Sequence, residues 1–370
     1  MSQEVRVVHG REPEGRTDPI TGSEVIISAA RSMREGKRDP HYVYRVGELP
    51  SHKADCFFCP GNEEGTPKEL VIFPQDHPGD RSPWMTRGFT NLYPILALEA
   101  NGHGNPNPSE NLALGINEVI VETPRHDAFF SALSTQEISR AFEAVILRYF
   151  SLRGDDRLEW FSVFKNFGRA AGASMEHSHM QIAVKGRIPQ KFRDRYLRAQ
   201  SYFWDKKACI YCDEIKRHRE LGQIVFETHY FVVLVPHAAI VPYHLRIFPK
   251  AHNPSFAHVL RDSVAMRDDF AAVLRKTIFL FKLAVQGENS ENLSDPMYNF
   301  YVETSPYRED HKDGNFHWRL EFVGRTTVEA GYEKHTGEYV NPTYPGEVAA
   351  QLREIEAAYR HSEFRSVRAA

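Results

Sequence analysis

Residues 172–184 read GASMEHSHMQIAV, from Gly172 to Val184. His177 and His179 flank Ser178, and Gln181 leads into an apolar run. Period-two alternation predicts a strand with His177, His179 and Gln181 on one face and Ser178, Met180, Ile182 and Val184 on the other. An H-x-H of this kind can give both rings to one metal ion, or one ring to a metal and the other to chemistry. Other parts of the chain bear on the choice.

All 4 cysteines stand in two C-x-x-C pairs, Cys56-Phe-Phe-Cys59 and Cys209-Ile-Tyr-Cys212. Such pairs point to zinc or to a redox centre in a reducing compartment. A redox pair should open a helix within a βαβ unit. Neither pair is expected to do so, and Cys59 runs into Pro60-Gly61-Asn62, a turn. Zinc is the expectation for both.

The two pairs divide the chain into halves of similar order. After Cys59 come strand-like segments FTNLYPIL (89–96) and NEVIVETPRH (117–126), then a helical stretch capped by Ser134 or Thr135, then EWFSVFKN and the opening segment. After Cys212 come HYFVVLVP and YHLRIFPKAH, a helix beginning near Met266, then MYNFYVETSP and FHWRLEFVG. Each half thereby offers one ligand set: Cys56, Cys59, His126 and His177, or Cys209, Cys212, His252 and His317. A structural zinc is closed by four nitrogen or sulfur ligands. His179 is then surplus in the first half, and Arg319 stands in the matching place of the second. The expected architecture is α+β: two similar units, each an open antiparallel sheet with helices, over residues 1–195 and 196–370. The C-terminal EVAAQLREIEAAYRHSEFRSV reads as an amphipathic helix packed on the second unit.

Composition narrows the function. The 370 residues are 41% hydrophobic and carry a net charge of -3, which speaks against a polyanionic partner such as nucleic acid. A zinc-ribbon nucleic-acid binder would also place its ligand pairs about 15–20 residues apart. No apolar run approaches the roughly 20 residues of a membrane span. The polar N-terminus lacks the apolar centre of a secretion signal. A cytoplasmic protein is expected.

A free imidazole is a nucleophile toward phosphorus near neutral pH, and the phosphoramidate it forms is reactive enough to pass the group on. The small residues of the loop Asn166-Phe-Gly-Arg-Ala-Ala-Gly-Ala-Ser174 would let backbone N–H groups approach an anion, though a plain tight turn has the same composition. Gln181, Ser174 and Asn166 are the local donors for charge that develops on phosphate oxygens.

The segment from Asn166 through Gly168, Gly172, Ser174, His177 and His179 to Gln181 resembles the N-x-G-x-x-x-G-x-S-x-x-H-P-H-x-Q pattern of the galactose-1-phosphate uridylyltransferase family, a branch of the histidine-triad superfamily. Ser178 replaces the usual proline. Asp18-Pro-Ile-Thr-Gly22 with Arg31 and Arg34 is similar to the family's phosphate-gripping arginine segment. Phe89-Thr-Asn91-Leu-Tyr-Pro94 is similar to its base and ribose segment, and Gly331-Tyr332-Glu333 to a late G-Y-E segment.

The resemblance implies a ping-pong reaction. His179 attacks the α-phosphorus of a nucleotide sugar, hexose 1-phosphate leaves, and a second phosphate compound takes the nucleotide. It implies that Arg31, Arg34, Asn91, Asn166, Tyr332 and Glu333 bind substrate, that His177 holds zinc, and that the protein is a homodimer. UMP transfer to a hexose 1-phosphate is the first expectation. Glu321 and Phe322 stand where well-known members carry another H-x-H, and Thr327 and Val328 where they carry Lys-Phe. The second C-x-x-C and Thr336–Pro342 look more like the ADP-glucose phosphorylase branch, which implies adenylyl transfer to inorganic phosphate as the alternative. A zinc-stabilised, non-catalytic nucleotide binder is the third.

Overall fold

The computed structural model describes residues 12–29, 49–74, 83–98, 113–287, 290, 293–309 and 315–359. Its strands are β1 (Glu14–Thr17), β2 (Glu24–Ile27), β3 (Glu69–Pro74), β4 (Trp84–Thr90), β5 (Gly115–Val121), β6 (Trp160–Phe167), β7 (His179–Lys185), β8 (Ile224–Glu227), β9 (Phe231–Leu234), β10 (His244–Pro249), β11 (Tyr298–Glu303), β12 (Arg319–Gly324) and β13 (Tyr339–Asn341). The helices are α1 (Thr135–Leu152), α2 (Gln190–Lys206), α3 (Ile210–Glu220), α4 (Phe256–Asp262), α5 (Val264–Gln286), α6 (Gly331–Thr336) and α7 (Pro345–Tyr359).

Ten strands form one sheet in the order β3-β4-β5-β7-β6-β11-β12-β10-β9-β8, every neighbouring pair antiparallel. The α+β class is as expected. Separate sheets were expected for the two halves; instead β6 pairs with β11 from Val163↔Val302 to Phe167↔Tyr298 and joins them. Read from its outer edge, each half has the same strand order. The boundary expected between 195 and 196 falls inside α2. A small sheet of β1, β2 and β13 stands apart, with β13 parallel to β2.

Local sequence accounts for the main elements. Helix α1 starts where the Ser134 hydroxyl accepts the Glu137 N–H and the Glu137 carboxylate accepts the Ser134 N–H, a reciprocal cap. Its buried stripe, including Ile138, Phe142, Val145 and Tyr149, packs with α5 on the sheet face that carries Met180, Ile182 and Val184. The opposite face carries two separate apolar clusters. One holds Cys56, Phe58, Cys59, Trp84, Phe89, Val119 and Val121; the other gathers α2, α3 and the outer strands of the second half around Tyr211 and Phe316.

Two strand expectations need correction. The segment 89–96 is strand only to Thr90. Beyond it Asn91 donates to Asn117 Oδ1 (2.9 Å) and accepts the Tyr93 N–H (3.0 Å), which turns the chain out of the ladder before Pro94. Strand β7 begins at His179, so His177 lies just outside it.

Candidate active site and metal centres

The first C-x-x-C is a tight turn built around its own sulfurs. Cys59 N–H donates to the Cys56 carbonyl (3.1 Å), Lys53 N–H to Cys59 Sγ (3.3 Å), and the Asn62 amide to the Cys56 carbonyl (2.8 Å). His126 follows β5, and His177 leads into β7. These four side chains converge with all ligand atoms within 4.8 Å of one another, and so do Cys209, Cys212, His252 and His317.

The donor distances fit zinc. A tetrahedral ion bound at the usual zinc–sulfur and zinc–nitrogen lengths sets each sulfur-to-nitrogen edge at about 3.6 Å. Cys59 Sγ lies 3.5 Å from His126 Nδ1 and 3.6 Å from His177 Nδ1, and Cys56 Sγ lies 3.7 Å from His177 Nδ1. In the second group Cys212 Sγ is 3.5 Å from both His252 Nδ1 and His317 Nδ1. His177 Nε2 donates to the Thr123 carbonyl (2.8 Å), which fixes Nδ1 as the metal-facing nitrogen. Burial pushes the His177 ring down to about 3, so it stands neutral and ready to ligate.

The second C-x-x-C contradicts one expectation. Cys209 is the N-cap of α3, so this pair does open a helix. Helix α3 follows α2 and leads to the antiparallel edge strand β8 rather than bridging parallel strands, and both cysteines turn toward His252 and His317.

His179 is not in the first ligand group. Its Nδ1 donates to the His177 carbonyl (2.8 Å), which leaves the lone pair on Nε2. Phe58, inside the C-x-x-C turn, meets both rings edge-on, with centroids 5.3 Å from His179 and 6.1 Å from His177. Burial, aided by the Lys165 ammonium, lowers His179 to about 4. The residue is 7% exposed. Alternation puts Gln181 on the same sheet face, where its side chain makes no hydrogen bond among the described residues.

Upstream, a single 3-10 turn joins Gly168 to Gly172, both at positive φ. A Cβ at Gly168 would strike Met297, so glycine is needed there. The loop spends the N–H groups of Ala171, Gly172 and Ala173 on its own carbonyls. The expected anion nest therefore lacks these three donors, while the N–H groups of Ser174 and Met175 have no backbone partner among the described residues. Asn166 accepts from Asn299 Nδ2 (2.7 Å) through its carbonyl oxygen, which leaves its own amide N–H free to donate. Ser174 is exposed and lines a cavity of about 850 Å³ beside the first ligand group, together with Lys53, Asp127, Arg169, Glu176 and Met297. His179 is not among that cavity's lining residues.

Other expected site residues do not all gather here. Asn91 is half-buried at the end of β4 and bonded to Asn117. Tyr332 and Glu333 lie on α6, where the Tyr332 hydroxyl bonds Glu338 and the Glu333 carboxylate accepts the Ala330 N–H (3.0 Å). No hydrogen bond among the described residues links them to β7. Arg31 and Arg34 lie outside the described residues.

Two buried groupings were not foreseen. Lys165 bonds Glu122, Ser178 and the His179 carbonyl behind β7. In the second half Arg319 and Glu321 occupy the sheet positions that His179 and Gln181 hold in the first, and they join Arg246, Asp18, Glu303 and His244 in an ion lattice. The signal in both cases was a charged residue inside an otherwise apolar strand, as in VFKN and HLRIF.

A profile for the N-terminal domain of galactose-1-phosphate uridyl transferase matches residues 7–189. An ADP-glucose phosphorylase of Arabidopsis thaliana is 31% identical over 354 residues, which cover 94% of each chain. The chain belongs to the galactose-1-phosphate uridylyltransferase family. A family member from Thermotoga maritima, a galactose-1-phosphate uridylyltransferase, is 27% identical over 93% of this chain and 98% of its own. Among solved structures, an Arabidopsis thaliana ADP-glucose phosphorylase with bound ADP-glucose superposes with a TM-score of 0.77 at 29% identity, over 93% of this chain and 99% of that one. A uridylyltransferase structure with a TM-score of 0.67 and 22% identity, over the same 93% and 99%, shares the fold. In this chain the His177 ring lies in the first Cys/His group and the His179 ring lies outside it.

Proposed function

We propose that the protein is a nucleotidyltransferase acting on nucleotide sugars through a covalent nucleotidyl-His179 intermediate. The observation that carries this reading is the His179 tautomer. With Nδ1–H held by the His177 carbonyl and the ring outside the metal group, Nε2 keeps a lone pair for phosphorus. In the first step Nε2 bonds to the α-phosphorus and the bond to the bridging oxygen breaks, which releases hexose 1-phosphate. In the second step a phosphate oxygen bonds to the same phosphorus and the nitrogen–phosphorus bond breaks. Gln181, the Asn166 amide and Ser174 donate to the oxygens on which charge grows. Arg31, Arg34, Asn91, Tyr332 and Glu333 complete substrate binding on the strength of their family segments.

Zinc would be held by Cys56, Cys59, His126 and His177, and by Cys209, Cys212, His252 and His317. Four protein ligands leave no open position, so its contribution is to cross-link the chain. The matching strand order of the two halves supports an internal repeat of two histidine-triad-like units, 1–195 and 196–370, and family membership supports a homodimer.

Adenylyl transfer from ADP-glucose to inorganic phosphate is the favoured reaction, because the ADP-glucose phosphorylase relative and its ligand-bound structure match over nearly the whole chain. Uridylyl transfer between UDP-glucose and galactose 1-phosphate is the second reading, supported by the Thermotoga maritima relative. A turnover panel of ADP-, UDP- and GDP-sugars against phosphate or galactose 1-phosphate separates them. Phosphate-dependent release of ADP supports the first, UDP-galactose formation the second, and tight binding without turnover of any pair would favour a non-catalytic nucleotide binder.

A further inference from the structure

We infer that the buried Lys165–Glu122–Ser178 group is a positioning clamp for the nucleophile, holding the His177–His179 backbone so that the His179 ring keeps its tautomer and direction. The inference rests on the reading of His179 as the nucleophile. Lys165 Nζ has three N–H bonds, and all are committed: to the Glu122 carboxylate (2.8 and 2.9 Å), to Ser178 Oγ (2.9 Å) and to the His179 carbonyl (3.0 Å). The Ser178 hydroxyl donates its own hydrogen bond to the Glu122 carboxylate. Lys165, Glu122 and Ser178 are at most 2% exposed.

The clamp sits where β6 stops pairing with this backbone, while β5 still holds its other side through Val121↔His179. The β6–β7 ladder ends at Phe164↔Gln181, while β6 runs on against β11. Past that last pair, the Lys165 ammonium supplies the donor to the His179 carbonyl from the face opposite the ring. Ser178 links the peptide whose carbonyl receives His179 Nδ1–H to the residue that carries the ring. Its hydroxyl thus ties the His177–Ser178 peptide to the ion pair that itself holds the His179 carbonyl, a tie the proline of the family pattern could not make.

Stability is a poor explanation for the group. A buried ion pair pays desolvation on both partners, and apolar replacements of similar volume are often as stable. What the pair adds is fixed direction, and near-attack geometry is sensitive to small displacements.

The test compares wild type, Ser178→Ala, Lys165→Arg and the charge-free double variant Lys165→Met/Glu122→Leu, each checked for wild-type zinc content and cooperative melting. Single-turnover adduct formation with ADP-glucose or UDP-glucose is read beside nucleotide-sugar affinity, and the His179 Nδ1–H resonance is read by nitrogen-edited NMR. The clamp predicts a roughly 10- to 100-fold slower adduct step in the double variant, a smaller loss in Ser178→Ala and partial rescue in Lys165→Arg. Affinity should stay within about threefold, and the resonance should shift or broaden away. Wild-type adduct rate and an unmoved resonance in both the double variant and Ser178→Ala would overturn the clamp. Absence of any adduct in wild type would instead sink the nucleophile reading, and the resonance alone would then decide whether the group orients the ring.

Discussion

His177 and His179 are two residues apart and chemically identical, yet one hydrogen bond each engages a different ring nitrogen. Nε2 of His177 is tied to the Thr123 carbonyl, so Nδ1 faces the sulfurs; Nδ1 of His179 is tied to the His177 carbonyl, so Nε2 is left over. Gln181 stands on the same face without a partner of its own among the described residues. Replacing it with Ala should lower kcat by about 100-fold with little change in KM, as expected of a donor that acts on growing charge; steady-state kinetics with the active nucleotide sugar checks this. At this scale the two Cys/His groups were legible because cysteine pairing and ligand count constrain which side chains can converge. Lys165 and Glu122 were not, since a strand pattern records which face a charge occupies but not what waits there.

At the scale of elements, the second half carries an ion lattice at the sheet positions that His179 and Gln181 hold in the first. Arg319 and Glu321 on β12 lock to Arg246 on β10 and Glu303 on β11, and Asp18 reaches Arg246 at 2.8 Å from the turn between β1 and β2. Burial would raise the Asp18 carboxyl, but Arg246 and the Thr21 N–H outweigh it and hold it below the ordinary value. Burial likewise opposes ionisation of Glu321, yet Arg246, Arg319 and His244 keep it well below the carboxylate range. A carboxyl depressed in the folded state stabilises above its unfolded value and loses that contribution as pH falls. Asp18→Asn should therefore cost about 3 kcal/mol near neutral pH, and the gap in Tm from wild type should narrow below about pH 4. Calorimetry across pH measures that gap, and a constant gap would contradict the ion-pair account. Helix α1 and most central strands could be read from periodicity and the Ser134 cap. Strand β3 escaped because its exposed Leu70 and Ile72 break the usual polar–apolar alternation of an edge, and the α3 start escaped because a cysteine N-cap carries no ordinary capping signal.

Across the whole molecule, one sheet connects both ligand groups, and no helix among the described residues is long and apolar enough to cross a membrane. The two groups should differ in consequence. Metal analysis should find about two zinc ions per chain, and chelation should lower Tm. Cys212→Ser should reduce stability while leaving adduct formation intact, whereas Cys56→Ser should reduce both, because Phe58 of that turn touches the His179 ring. Equal effects of the two variants on adduct formation would show that the first group has no particular hold on the nucleophile. The joining of the halves through β6 and β11 could not be read from the sequence, since the matching order of segments concerns each half alone and is silent on which edges meet. The most direct test of the account is peptide-level mass spectrometry after incubation with ADP-glucose or UDP-glucose and no acceptor. The account predicts an acid-labile gain of one nucleoside monophosphate on His179, absent in His179→Gly and discharged by phosphate or galactose 1-phosphate. An adduct on another residue, or turnover that survives in His179→Gly, would contradict it.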